Sequence, residues 1–233
     1  MFLDPYFNQT DTRVQISKAQ ASAFAKGIAQ DFNPIHDVDA KRFCVPGDLL
    51  FALVLSHYGL SQKMQFRFEG MVGDGVELQF PAEVADAFSV RDSRDKSYLQ
   101  VQRLGEVSHC PEQIESFIRS YVAFSGLNFV HVLVPLMHEH GMMINPDRPL
   151  VIYESMAFEL NSLDFTQVTL ELVKSSLAID GKRGDVTLEF ALKAEGKTVG
   201  TGLKTLVMSG LRPLESEHID AMVAEYESRR QRG

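Results

Sequence analysis

The run from Leu49 to Leu60 is almost wholly apolar, interrupted only around Ser56, His57 and Tyr58. A helix made from it has no polar stripe to turn toward water, so it must be enclosed on several sides. That requirement constrains the fold more than any other feature, because the rest of the chain must supply a wrapping layer. The residues after Gly59 have the right texture. Met64 to Glu69, Val76 to Phe80, Ala87 to Arg91 and Tyr98 to Val107 show alternation or β-branched and aromatic enrichment. Gly70, Gly73-Asp74-Gly75 and Asp92 to Asp95 punctuate them. An enclosed helix followed by an antiparallel meander is an α+β layout with the sheet wrapped around the helix.

The same order recurs. Upstream of the apolar run, Ala21, Phe24, Ala25 and Ile28 follow helical spacing, with Ser17 placed as N-cap. In the second half, Pro111 to Phe124 reads as a helix with Ile114, Phe117, Ile118, Tyr121 and Val122 on one face. Leu127 to Met143 reads as a second, largely apolar helix. Strands are expected over Leu150 to Leu160, Val168 to Ile179, Asp185 to Glu195 and Thr198 to Gly210, with hairpin turns at Gly181 and Gly196. Helix, enclosed helix and meander in two successive copies imply an internal duplication: residues 1–110, residues 111–212, and a terminal helix over 213–233. That last helix carries Ile219, Met222, Val223 and Tyr226 on one stripe and arginines near its end; the sequence assigns it no function.

Composition narrows the functional classes. The net charge of −8 and the lack of a basic stripe argue against nucleic-acid binding, which requires clustered positive charge. No basic-then-apolar leader is visible from Met1 to Tyr6, and no apolar segment reaches the roughly 18 residues of a membrane span. Two cysteines, Cys44 and Cys110, form no disulfide framework and no paired metal motif, which fits a reducing cytoplasm. Cys44 reads as a buried thiol rather than a nucleophile. His57, His131, His138 and His140 lack the register for a metal site, and the chain has neither a Walker A loop nor a dinucleotide-binding fingerprint.

The chemistry-bearing stretch is Gln30-Asp31-Phe32-Asn33-Pro34-Ile35-His36-Asp37. An acid, an amide and an imidazole within six residues can place two proton-handling groups around one small molecule. The same residues also make a good turn, since Asp and Asn side chains bond nearby backbone and proline presets φ. Further on, the free amides expected at Gly47 to Leu50 could polarise a carbonyl; equally, Asp48 could cap them itself and oppose any developing negative charge.

Asp31-x-Asn33-Pro34-x-His36 ahead of a Gly47-headed enclosed helix resembles the MaoC-like, or (R)-specific enoyl-CoA hydratase, branch of the hot-dog superfamily. Phe68-Glu69-Gly70-Met71-Val72-Gly73-Asp74-Gly75-Val76 is similar to that family's strand-loop-strand pattern around a Gly-Asp turn. The resemblance implies a double hot-dog whose second repeat is degenerate, since Phe124-Ser125-Gly126-Leu127-Asn128 stands where a second motif would be. It implies a hydratase or dehydratase acting on an acyl thioester, such as a trans-2-enoyl group carried by CoA or acyl carrier protein. Asp31 would activate water and His36 would hold it and pass a proton on, with Asn33, Gly47 and Asp48 lining the substrate. No metal or separate cofactor is implied, and the chain would be a monomeric double hot-dog or a homodimer. The alternative is a hot-dog protein that binds an acyl thioester or other apolar ligand without turning it over. Four features depart from the pattern: Val38 stands where an acid is usual, Pro46 replaces a histidine, Asp48 follows the glycine that heads the helix, and the segment between His36 and Gly47 is short. A thioesterase would place its acid on the enclosed helix, and Leu49 to Leu60 offers none.

Overall fold

A computed structural model describes residues 2–126, 128–146, 148 and 150–232, with the side chain of Arg232 excepted. Met1, Gly233 and Leu127, the expected start of the second apolar helix, lie outside the described residues.

The chain opens with a short hairpin, β1 (Asn8–Thr10) and β2 (Arg13–Gln15), followed by α1 (Lys18–Gly27). Ser17 and Gln20 close a reciprocal capping box at the start of α1. The Asp31–His36 stretch follows, with one 3₁₀ turn at Pro34–His36, and then α2 (Gly47–Tyr58). Four strands complete the first half: β3 (Leu60–Phe68), β4 (Glu77–Gln79), β5 (Ala87–Asp92) and β6 (Ser97–Ser108). The second half begins with α3 (Pro111–Gly126), a π-helical turn at Phe129–Leu133 and α4 (Val134–His140). A two-residue strand, β7 (Met142–Met143), leads into β8 (Val151–Leu160), β9 (Thr169–Asp180), β10 (Arg183–Ala194) and β11 (Lys197–Ser209). The chain ends with β12 (Arg212–Pro213), which pairs with β7, and α5 (Ser216–Arg232).

The duplication is written in the sheet. Ten strands run in the order β1-β2-β4-β5-β6-β3-β8-β11-β10-β9. The four strands β4-β5-β6-β3 mirror β9-β10-β11-β8. Within each set of four the first strand in the chain sits at the centre, the next lies at the set's outer end, and the last returns beside the first. β3 and β8 pair antiparallel across the join, Phe66 opposite Met156. This is a double hot-dog architecture, as expected.

The core forms around α2. Leu49 to Leu55 are all 2 % exposed or less, so the helix is enclosed on every side. Phe51 packs 5.1 Å from Phe66 below it and 4.6 Å from Tyr121 of α3. Burial of each such side chain contributes about 1.5–3 kcal/mol.

The second half departs from expectation. Leu127 to Met143 does not form one enclosed helix. Pro135 has no N–H to continue the ladder, and a π turn takes up the irregularity before α4. Val132, Leu133, Leu136 and Met137 are buried, but His131, Pro135, His138 and His140 face solvent. α4 therefore lies on a smaller second core with Leu188, Met208 and Ile219, and α3 takes the place beside α2.

Candidate active site

Gln30, just before the motif, adopts φ +56°, the left-handed region that side chains other than glycine rarely take. This turns the chain sharply out of α1. The Asp31 amide then bonds the Ala25 carbonyl at 2.8 Å, and Asp31 Oδ1 accepts from the Asn33 amide at 2.9 Å. Asn33 Oδ1 accepts from the Ile35 amide at 3.1 Å and caps the 3₁₀ turn. These turn-forming bonds do not exclude a functional role, since the other side of the loop faces a cavity.

His36 lies buried beneath that loop. Its Nδ1 is 2.7 Å from the Cys44 carbonyl oxygen, which makes Nδ1 the donor and turns Nε2 toward Asp31 Oδ2, 3.5 Å away. Burial works against the charged form of both groups, but each outweighs it for the other. The hydrogen bond and charge of His36 hold Asp31 below the usual carboxylate range, and Asp31 raises His36 above an ordinary imidazole. Both shifts favour the carboxylate–imidazolium form of the pair, and 24 % of the Asp31 side chain is still open.

The cavity beside them holds about 640 Å³. Asp31, Asn33, His36, Gly47 and Asp48 all line it, so the five residues expected to act on or hold the substrate converge on one space. The second motif lies on the rim: Phe68 to Val72 border the cavity, and the Val72 carbonyl accepts from the Val45 amide at 2.8 Å. Cys44 also lines it, and burial pushes its thiol up to about 11, too high for a thiolate nucleophile at neutral pH. Val38 is exposed, and Asp37 beside it ties the loop to α1 and α5 through Lys26 at 2.8 Å and Arg229.

At the head of α2, Asp48 does not cap the first-turn amides. No side chain caps this helix, and Asp48 stands inside its first turn. Asp48 Oδ2 instead accepts from Ser125 Oγ of α3 at 2.5 Å, and Ser125 in turn accepts from the Lys204 ammonium of β11. The enclosed helix starts at Gly47, before the apolar run begins, so it does carry an acid.

Three contributors escaped the sequence reading. Ser125 continues the buried stripe of Tyr121 and Val122, and Lys204 alternates in phase with buried Leu206 and Met208. A polar residue on an apolar stripe was the available signal in both cases. The third is α5, which contributes Met222, Glu225, Tyr226 and Arg229 to the cavity wall. Tyr226 donates to the Gly126 carbonyl at 3.0 Å and the Gln30 carbonyl at 3.3 Å. His57 is accounted for by the Leu53 carbonyl at 2.7 Å, and among the described residues no three His, Cys, Asp or Glu side chains cluster as metal ligands.

Fold and site together define a double hot-dog protein with the Asp31–His36 pair on a largely apolar cavity. The model of the family described as "Protein of unknown function (DUF3581)" matches residues 1–217, and the chain belongs to that family. No curated protein matches. Similar solved structures include a MaoC-like dehydratase, 10 % identical with a TM-score of 0.44, covering 88 % of this chain and 98 % of that one. Another is the tesB protein of Mycobacterium avium subs paratuberculosis, 10 % identical with a TM-score of 0.45, covering 88 % and 96 %. A putative MaoC domain protein dehydratase from Chloroflexus aurantiacus is 10 % identical with a TM-score of 0.45, covering 90 % and 95 %. Likeness of this degree says nothing about activity, which resides in the site.

Proposed function

We propose that this chain adds water to, or removes it from, the double bond of an acyl thioester. The observation that carries this reading is the Asp31–His36 pair, with Oδ2 and Nε2 3.5 Å apart on the cavity beside the head of α2. Hydration of a trans-2-enoyl thioester needs a base for the water proton and an acid for the α-carbon. The Asp31 carboxylate takes the first proton as the water oxygen bonds the β-carbon, and the His36 imidazolium delivers the second to the α-carbon. Negative charge passes through the thioester oxygen in between, where the first-turn amides of Gly47 and Asp48, outside the helical ladder, can receive it. The apolar lining from Phe129, Leu133, Leu206 and Met222 suits an acyl chain.

Assisted proton transfer of this kind is worth about 10²–10⁴-fold. Asp31→Ala and His36→Ala are each expected to lower crotonyl-CoA hydration by at least about 10²-fold, followed as loss of the enoyl thioester absorbance. Equal rates in wild type and both variants would overturn the reading.

Asp48 favours a second reading, thioester hydrolysis, because a buried acid on the enclosed helix borders the cavity. Its engagement by Ser125 and Lys204 makes it a poor free base, so hydration ranks first. Release of free CoA thiol from a saturated acyl-CoA, lost in Asp48→Asn, would reverse that order.

A further inference from the structure

The second repeat has no counterpart of the Asp31–His36 motif, yet it sends one charged side chain to the site. Lys204 is 3 % exposed, lies under the sheet on β11 and borders the cavity. Its ammonium sits 4.0 Å from the centre of the Tyr153 ring and 5.9 Å from that of Tyr121, faces that favour a cation. Ser125 bridges it to Asp48. The other titratable groups acting on Asp48 are Tyr121 of α3, Tyr153 of β8, and Asp31 and His36 of the motif loop.

We propose, on the thioester reading above, that Lys204 is a positioning residue: through Ser125 it neutralises Asp48, so that the head of α2 can accept negative charge from the substrate. An unbalanced carboxylate in that first turn would cancel the helix dipole and repel a developing enolate. A Lys–Asp pair that holds one proton is net neutral wherever the proton sits along the bridge. Asp48 Oδ1 is buried with no hydrogen-bond partner among the described residues, so a lone charge there would be poorly solvated. Burial pushes the Asp48 carboxyl up and the Lys204 ammonium down, which brings the two toward sharing that proton. The arrangement also explains how a repeat without its own motif is retained as part of the site.

The test is a cycle of Lys204→Met, Asp48→Asn and the double variant, read by the pH profile of crotonyl-CoA hydration and by urea unfolding. In Lys204→Met, kcat falls by about 10²-fold as rising pH ionises Asp48, with KM little changed. Adding Asp48→Asn removes that limb and recovers most of the loss. Unfolding follows the same sign: Lys204→Met loses stability as pH rises through the raised Asp48 pKa, and the double variant does not. Should Lys204→Met fail to fold, Ser125→Ala keeps both charges without the bridge and shows the same limb at smaller amplitude.

A double variant no better than Lys204→Met in either readout, or a Ser125→Ala profile identical to wild type, overturns the proposal. If wild type hydrates no enoyl thioester, the thioester reading falls, while the unfolding cycle still decides whether Lys204 neutralises Asp48.

Discussion

Gly126 closes α3 against the backbone that leads into the motif, and replacing it with alanine is a sensitive test of the site's construction. A Cβ at this position would fall on the Ala29 carbonyl oxygen, 2.8 Å from the Ala29 carbonyl carbon and 3.1 Å from the Asp31 amide nitrogen. Carbon atoms pack at about 3.5–4.0 Å, so the loop must retreat by at least about 0.7 Å, and further at the oxygen. All the clashing atoms are backbone, so no side-chain rotation relieves them. Overpacking of this kind costs about 1–3 kcal/mol. The retreat also strains the Asp31-to-Ala25 bond and the Tyr226 bond, whose one hydroxyl proton is shared between the Gly126 and Gln30 carbonyls, each worth about 0.5–1.5 kcal/mol. Gly126→Ala is therefore expected to lose about 2–4 kcal/mol of stability, measured by urea unfolding. Because Asp31 moves with the loop, its 3.5 Å contact to His36 is disturbed and the His36 titration, which depends on that contact, shifts. Misplacement by about 1 Å can cost about 10²-fold in rate. An alanine variant with wild-type stability and an unchanged His36 titration by NMR would refute the close packing on which this reasoning depends.

Tyr226→Phe removes the only donor that α5 sends to the Gly126 and Gln30 carbonyls among the bonds described, and is expected to cost about 1–2 kcal/mol in unfolding free energy. Hydrogen exchange at the Asp31 amide should quicken in the same variant. The Asp31–His36 pair also predicts a pH window. Asp31, with its pKa lowered, stabilises above its unfolded value near 3.9 and loses that contribution as pH falls through its folded pKa; His36, with its pKa raised, stabilises below about 6.5 and loses it as pH rises through its own. Asp31→Asn should lower the level stretch between those values, flatten the falls on its acid and alkaline sides, and lower the His36 titration point; a curve parallel to wild type would contradict the pairing.

Local patterns carried most of the fold. The Leu49 run specified an enclosed helix because apolar residues around a full circumference allow nothing else. Ser17 and Gln20 marked a helix start through their own backbone bonds. Glycine punctuation located the long hairpins at Gly181 and Gly196, both with positive φ. The β1–β2 hairpin was not legible, because its strands span three residues each and only Val14 among them is buried. The second enclosed helix failed for a different reason. Hydrophobic composition over residues 128–143 resembles that of α2, but Pro135 interrupts the backbone ladder, and exposed histidines fall on the face that would have to be buried.

The site divides along the same line. Asp31, Asn33 and His36 lie within six residues, so one turn brings them together and their convergence could be anticipated. Asp48, Ser125 and Lys204 are separated by 77 and 79 residues, and only the pairing of two repeats makes them neighbours. Lys204 was nonetheless recoverable from strand period: opposite buried Met156 and Leu188 in the register, it stands where the sheet requires an inward side chain. A lysine in that place needs a counter-charge, and a search for one leads to Asp48. The start of α2 decides how that acid is understood. Counted from the first leucine, the enclosed helix carries no acid and Asp48 is a loop residue that threatens the helix head. Counted from Gly47, Asp48 belongs to the first turn, is held from the opposite repeat, and becomes the point at which the two halves of the duplication depend on each other.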